Sequence, residues 1–152
     1  HDITVCEICK RSRLNRSTFY ANYTDIFELA DKIKAYLEEE VNLLYEAEQA
    51  QKFNSNDYLK LFCHIKENQS LYRTYFKLGY DHQRRIEQYD TKLAEQYFDN
   101  RHIAYHMEFF KSGLNAIIKM WLSDGCKETP EEMNEILRRE YQGRLLSDRK
   151  TT

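Results

Sequence analysis

Between Ile3 and Tyr23 the chain carries Lys10, Arg11, Arg13 and Arg16 within seven residues, 10–16, that hold no acid. Thr4 and Glu7 have the spacing of a capping box, in which the threonine hydroxyl accepts from the N3 amide and the glutamate reaches back. Val5, Ile8 and Cys9 then recur at helical spacing. Ser12-Arg13-Leu14 interrupts that pattern, and Asn15 is a good N-cap for a second helix running from Arg16 to Tyr23. Phe19 and Tyr23 form an inward aromatic stripe on this second helix, which leaves Arg16, Ser17, Thr18, Tyr20 and Asn22 facing out. Guanidinium, hydroxyls and amide on one face, with no carboxylate, suit phosphate oxygens and base edges.

These residues resemble the helix-turn-helix of the TetR family, the tetracycline-repressor-like transcriptional regulators. Thr18-Phe19-Tyr20 followed by Tyr23 matches that family's second helix, and Ile3-Thr4-Val5 matches the start of its first. Asp25 and Glu28 match the cap that opens the family's long connecting helix. The likeness is strong from Ile3 to about Glu40 and continues in pattern over most of the remaining chain. It implies an all-α fold, with a helix-turn-helix tip on a larger helical regulatory and dimerisation domain. Double-stranded DNA is then the partner, and Thr4, Cys6, Arg13, Asn15, Arg16, Ser17, Thr18, Tyr20 and Asn22 are the DNA-contact candidates.

Two positions depart from the family pattern. Arg13 stands where the family usually has a turn glycine, and a non-glycine residue at positive φ costs about 1 kcal/mol. Either the turn differs here or Arg13 makes a phosphate contact that offsets the cost. Ile26 stands where the family often has a phosphate-clamping lysine. In the family a further helix precedes Ile3, whereas only His1 and Asp2 come before the first cap, so the sequence is expected to be part of a longer protein.

Other chemistry is poorly supported. Cys6 and Cys9 resemble half a zinc site, but no second pair follows at zinc-ribbon spacing. By the family resemblance Cys9 is a small buried residue and Cys6 faces the DNA. Asp99, His102 and His106 share a helix face that could hold a divalent metal, although two histidines on an amphipathic helix are more often polar edge residues. No Gly-rich phosphate loop or nucleophile elbow occurs, so the expectation is no enzyme, no cofactor and no bound metal.

Net charge is −2, and the charge is unevenly distributed: a basic tip precedes Glu38-Glu39-Glu40. Such a tip attracts phosphates while the acidic body stays off the duplex. Four glycines and one proline favour long helices, and no apolar run approaches the roughly 18 residues of a membrane span. A cytoplasmic protein is expected.

The chain is read as two parts. Residues 1–48 hold the reading tip and connecting helix, and residues 49–152 form an effector-binding and dimerisation domain. The connecting helix is expected from Asp25 to about Gln51, followed by a turn at Phe53–Asp57. Further helices are expected over Asp57–Lys66, Leu71–Leu78, His82–Asn100 and Arg101–Ser123, with Gly79 and Gly125 as stops. Thr129-Pro130 is a strong start signal for a last helix running to about Gly143.

In the family the last two helices of each subunit make a four-helix dimer bundle. That resemblance marks Leu114, Ile118, Trp121, Met133, Leu137 and Tyr141 as dimerisation candidates. Aromatic residues make up 14% of the chain. Phe62, Tyr72, Tyr75, Phe76, Tyr97 and Tyr105 are candidates to line a small-molecule effector pocket, with core packing as the competing role. The sequence therefore points to an effector-responsive repressor that binds a pseudo-palindromic operator as a homodimer. The alternatives are a helical protein-interaction module that keeps the fold without binding DNA, and an aromatic-pocket sensor.

Overall fold

The computed structural model describes residues 3–50, 57–83, 95 and 98–147, with backbone alone for 49, 83 and 141–147. Its described elements are helices: α1 (Val5–Ser12), α2 (Arg16–Asn22), α3 (Ile26–Leu44), α4 (Glu46–Ala50), α5 (Leu59–Glu67), α6 (Gln69–Lys77), α7 (Tyr80–Gln83), α8 (Ile103–Ser123) and α9 (Pro130–Ser147). The all-α expectation holds. The chain forms two compact units, His1–Glu40 and Val41–Thr152, and the boundary falls within α3.

In the first unit α1 packs on α2. Cys9 and Phe19 are buried there, so each short helix contributes one side chain that anchors it to the other. Neither helix is long enough to be stable alone in water, so the packing and the caps hold them together.

The second unit is built around α5. Phe62 and Ile65 have no exposed surface, and α5 packs most broadly on α9. Phe62 meets Trp121 of α8 edge to face, with ring centroids 5.6 Å apart. The α8–α9 turn is fixed by three donors. Trp121 Nε1–H and Lys66 Nζ both donate to the Glu128 carbonyl (3.3 Å each), and the Arg73 guanidinium donates to the Leu122 carbonyl (2.8 Å). Gly125 sits at φ 78, and its neighbour Cys126 is also left-handed at φ 53. The Cys126 thiol is buried, and burial pushes its pKa up. Thr129 and Glu132 close a capping box at the start of α9, as expected from Thr129-Pro130.

Several boundaries differ from those expected. The connecting helix ends at Leu44 rather than near Gln51. Tyr45 leaves the helical register, donating its N–H to Asn42 O, because its hydroxyl is engaged at the start of α5. Gly143 does not stop α9, which continues to Ser147, since an interior glycine costs only about 1 kcal/mol relative to alanine. The expected break at Asn68 is present, where its N–H is shared between the His64 and Ile65 carbonyls. Of the helix expected over His82–Asn100, all but the ends lies outside the described residues, as does most of the Phe53–Asp57 turn.

Most of the dimerisation candidates lie in the interior of the second unit. Ile118, Trp121, Met133 and Leu137 are all buried in this chain's own core, between α8, α9 and α5. Leu114 is half-buried, and the side chain of Tyr141 lies outside the described residues. The apolar surface that α8 leaves exposed is a different face. Tyr105 (77% exposed), Phe109 (63%) and Met120 (65%) line it, with exposed Gly113 and Ala116 between them, and Ile136 of α9 is exposed at 45%.

Because Leu137 fills the core, Leu137→Ala should destabilise the chain by about 2–5 kcal/mol, read as a lower midpoint in urea unfolding. An unchanged midpoint would place Leu137 outside the core.

Candidate nucleic-acid interface

The reading tip is shaped by two caps and a strained residue. Thr4 Oγ1 accepts from the Glu7 N–H at 3.3 Å, and Glu7 Oε2 accepts from the Thr4 N–H at 3.2 Å, completing the capping box. Arg13 ends α1 in the left-handed region (φ 56, ψ 32). The turn thus has the geometry usually given to glycine, and arginine bears the strain. The Leu14 N–H donates to the Cys9 carbonyl at 2.9 Å, closing the turn. This conformation turns the chain sharply into Asn15.

Asn15 organises the start of α2. Its Oδ1 lies 2.7 Å from the Thr18 N–H, 2.8 Å from Ser17 Oγ and 2.8 Å from Thr18 Oγ1. An amide oxygen has two lone pairs, so it cannot satisfy three donors well at once. One hydroxyl can rotate away to an incoming phosphate at little cost. Asn15 therefore caps the helix and holds two hydroxyl donors in readiness.

All nine DNA-contact candidates are exposed: Thr4, Cys6, Arg13, Asn15, Arg16, Ser17, Thr18, Tyr20 and Asn22. The Arg16 guanidinium lies 6.0 Å from the centroid of the Tyr20 ring, one helical turn on, and a hydrogen bond to Tyr20 pushes its pKa further up. Phe19 faces inward and packs against Tyr20 and Tyr23. Asn22 Nδ2 donates to the Thr18 carbonyl at 2.9 Å, so its amide must turn to reach a duplex. Cys6 is exposed and Cys9 buried, with the Cys9 thiol 3.8 Å from Asn15 O, so the two do not face one site.

Lys32 is a residue that sequence reasoning missed. Its ammonium donates to the Asn22 carbonyl at 3.2 Å, pairs with Glu28 at 3.1 Å, and lies 4.9 Å from the Tyr23 ring centroid. A cation at a helix C-terminus is favourable, and Lys32 fixes the end of α2. The only signal in the sequence was its i+4 spacing from Glu28. Asp25 and Glu28 cap α3 as the resemblance implied: Asp25 Oδ1 accepts from the Phe27 and Glu28 N–H groups, and Glu28 Oε2 from both Thr24 donors.

The effector-pocket candidates do not form one wall. Phe62 is a core ring with no exposed surface. Tyr72 and Tyr75 are buried, with the Tyr72 hydroxyl 2.7 Å from His64 Nδ1 and the Tyr75 hydroxyl donating to Tyr80 O at 3.4 Å. Phe76 is half-buried under Lys119, Tyr105 is on the surface, and Tyr97 lies outside the described residues. Of the metal candidates, His106 stacks on Phe98 at 3.7 Å between centroids, while Asp99 and His102 have left-handed backbones. No metal-holding group of histidines, cysteines and acids occurs among the described residues. Among them, no helix is long and apolar enough to cross a membrane.

An all-helical chain with a capped helix-turn-helix, whose second helix holds no acid, is the architecture of a transcriptional regulator. The family profile for the TetR transcriptional regulator C-terminal region matches residues 54–142, more than half of the chain. The chain belongs to the TetR family of transcriptional regulators. Comparison with curated proteins and with solved structures gives no match.

The α3 cap makes a pH test available. The Thr24 N–H, then the Thr24 hydroxyl, then Lys32 hold the Glu28 carboxyl down to about 2, from an ordinary 4.5. Its folded pKa is depressed, so its contribution is fully present above about 4.5 and is lost as pH falls through about 2. The Thr24 amide resonance should shift across that window in the wild type and stay flat in Glu28→Gln. Identical titrations would remove Glu28 from the cap.

Proposed function

We propose that this TetR-family regulator binds double-stranded DNA as a homodimer, reading a pseudo-palindromic operator and acting as a repressor. The observation that carries the DNA reading is the exposed face of α2. Arg16, Ser17, Thr18 and Tyr20 project from a helix whose N-terminus is capped by Asn15 and whose first turn holds no acid. Unpaired N–H groups and cations at such an end attract phosphate, and a short helix of this kind fits the major groove. A two-fold dimer would present two such helices to two half-sites.

The dimer reading is supported by the face that α8 leaves open. Tyr105, Phe109, Gly113, Ala116 and Met120 follow one another at spacings of four, four, three and four, which is a single helical stripe. A Cβ built on Gly113 meets nothing within 4 Å, so a second helix can approach closely at the middle of the stripe. A groove of about 110 Å³ opens beside it, lined by Ile117, Met120, Trp121, Met133 and Ile136 among others. Effector control belongs to the second unit in this reading, with half-buried Phe76 as its accessible aromatic wall.

A gel shift of the protein against its own upstream region tests the DNA reading. A sequence-specific complex is expected, and its absence would favour the protein-interaction module. Arg16→Ala should weaken specific binding more than binding to random duplex, since a bidentate guanine contact contributes roughly 1–3 kcal/mol of discrimination. An equal loss on both duplexes would make Arg16 a phosphate contact. Met120→Glu should leave the melting temperature nearly unchanged but weaken self-association about tenfold or more, roughly 1.4 kcal/mol, by sedimentation. A wild-type monomer at micromolar concentration would refute the dimer.

A further inference from the structure

The apolar stripe of α9 contains one residue that does not belong in a greasy core. Asn134 lies between Met133 and Leu137 and is itself buried. A buried amide is costly unless both of its ends are bonded. Here both are. Asn134 Oδ1 accepts from the Tyr58 N–H at 2.9 Å, and Asn134 Nδ2 donates to Asp57 Oδ1 at 2.9 Å. The same Asp57 oxygen accepts from the Leu59 N–H at 3.0 Å.

The opposite side of this short segment is held by Tyr45. Its hydroxyl donates to the Asp57 carbonyl at 3.2 Å and accepts from the Leu61 N–H at 3.3 Å. Lys60 adds a bond to the Leu44 carbonyl at 3.2 Å and lies 5.8 Å from the Tyr45 ring centroid. The N–H groups of Leu59 and Leu61 belong to the first turn of α5, where no intrahelical partner exists. Tyr58, at the N-cap, supplies no side-chain cap. The start of α5 is thus capped largely from elsewhere: by α9 on one side and by the residue that ends α3 on the other.

We propose that Tyr45, Asp57 and Asn134 form a polar joint that makes α9, the start of α5 and the last turn of α3 move as one body, so that repacking of α9 reaches the connecting helix. Apolar contacts can slide over one another, whereas hydrogen bonds fail within a short displacement. A shift of α9 by about 1 Å would stretch both Asn134 bonds beyond hydrogen-bonding length. It would also take the Asn134 acceptor away from the part-buried Tyr58 N–H at the start of α5. The lower-energy course is for the start of α5 to follow α9, and for Tyr45 to follow the start of α5. The regulatory consequence, that assembly through α8 and α9 is felt by the connecting helix, rests on the dimer and DNA readings above. The joint itself does not.

Amide hydrogen exchange on the full chain tests it without DNA, so its outcome is separate from whether the tip binds an operator. Asn134→Leu should speed exchange of the amides of residues 42–50 by about tenfold or more, while those of Ile117–Leu122 keep their protection. Coupling is reciprocal, so Tyr45→Phe should speed exchange at the Tyr58 amide by a similar factor. The double variant should show little more than the larger single effect. Tyr45→Phe removes one oxygen from a ring that stays in place, so this arm stands even where leucine at 134 disturbs the fold. Unchanged exchange at 42–50 in Asn134→Leu with an unchanged Tyr58 amide in Tyr45→Phe would overturn the joint. So would an equal rise throughout the chain, or strictly additive effects in the double variant.

Discussion

In the second unit, the edge-to-face contact of Phe62 on Trp121 sets most of what surrounds it. Neither ring has meaningful exposure, and each large buried side chain contributes about 1.5–3 kcal/mol relative to leaving it in water. The contact has consequences because Trp121 carries a polar end. Its indole N–H must find an acceptor when buried, and the Glu128 carbonyl supplies it. That bond fixes the turn after α8 in the left-handed course of Gly125 and Cys126 and so sets where α9 begins. Met133 and Leu137 then close over α5 from the other side. A core contact between two rings thereby decides the path of the last two helices.

The first unit works on another principle. It is too small to rely on a large core, so its short helices depend on caps: Thr4 with Glu7, Asn15 with Thr18, and Asp25 and Glu28 with the start of α3. The same groups serve the surface. Asn15 stabilises α2 and holds the hydroxyls of Ser17 and Thr18 as a small donor array, with Arg16 beside them. Capping and the exposed donor array use the same atoms, so an acid at position 15 would keep the cap but place negative charge beside those donors. The left-handed Arg13 fits this economy. A strained cation at the turn is hard to explain by packing, since its side chain is exposed, and natural if it meets a phosphate.

Polar and apolar residues are partly inverted between the two last helices. Asn134 is buried on α9, whereas Met120, Phe109 and Tyr105 are exposed on α8. The exposed stripe is expensive for an isolated chain, whereas the buried amide is matched by partners within the chain. An exposed stripe of large apolar groups with small residues at its centre suits a second helix. A buried amide bonded at both ends fixes one alignment of α9 over α5, which greasy side chains alone would leave free to slide. The family to which the chain belongs is one of transcriptional regulators.

Much of this was legible in the residues. Helix starts were written by short-range chemistry: capping boxes at Thr4 and Thr129 and the Asn15 cap each depend on atoms three residues apart, and all are present. The outward face of α2 followed from the inward position of Phe19, and the family from the motif around it. What the sequence could not decide was which of two apolar faces on α8 turns inward. Ile118 and Met120 are both apolar, and helical spacing places each on an apolar stripe of its own. Only the position of Phe62 on another helix draws Ile118, Trp121 and Leu122 into the core and leaves Met120 outside. The same holds for Asn134 and Tyr45, whose partners are the α5 start rather than their own neighbours. Local hydrogen bonds are fixed by sequence spacing, but the choice of face and of distant partner is a property of how helices pack.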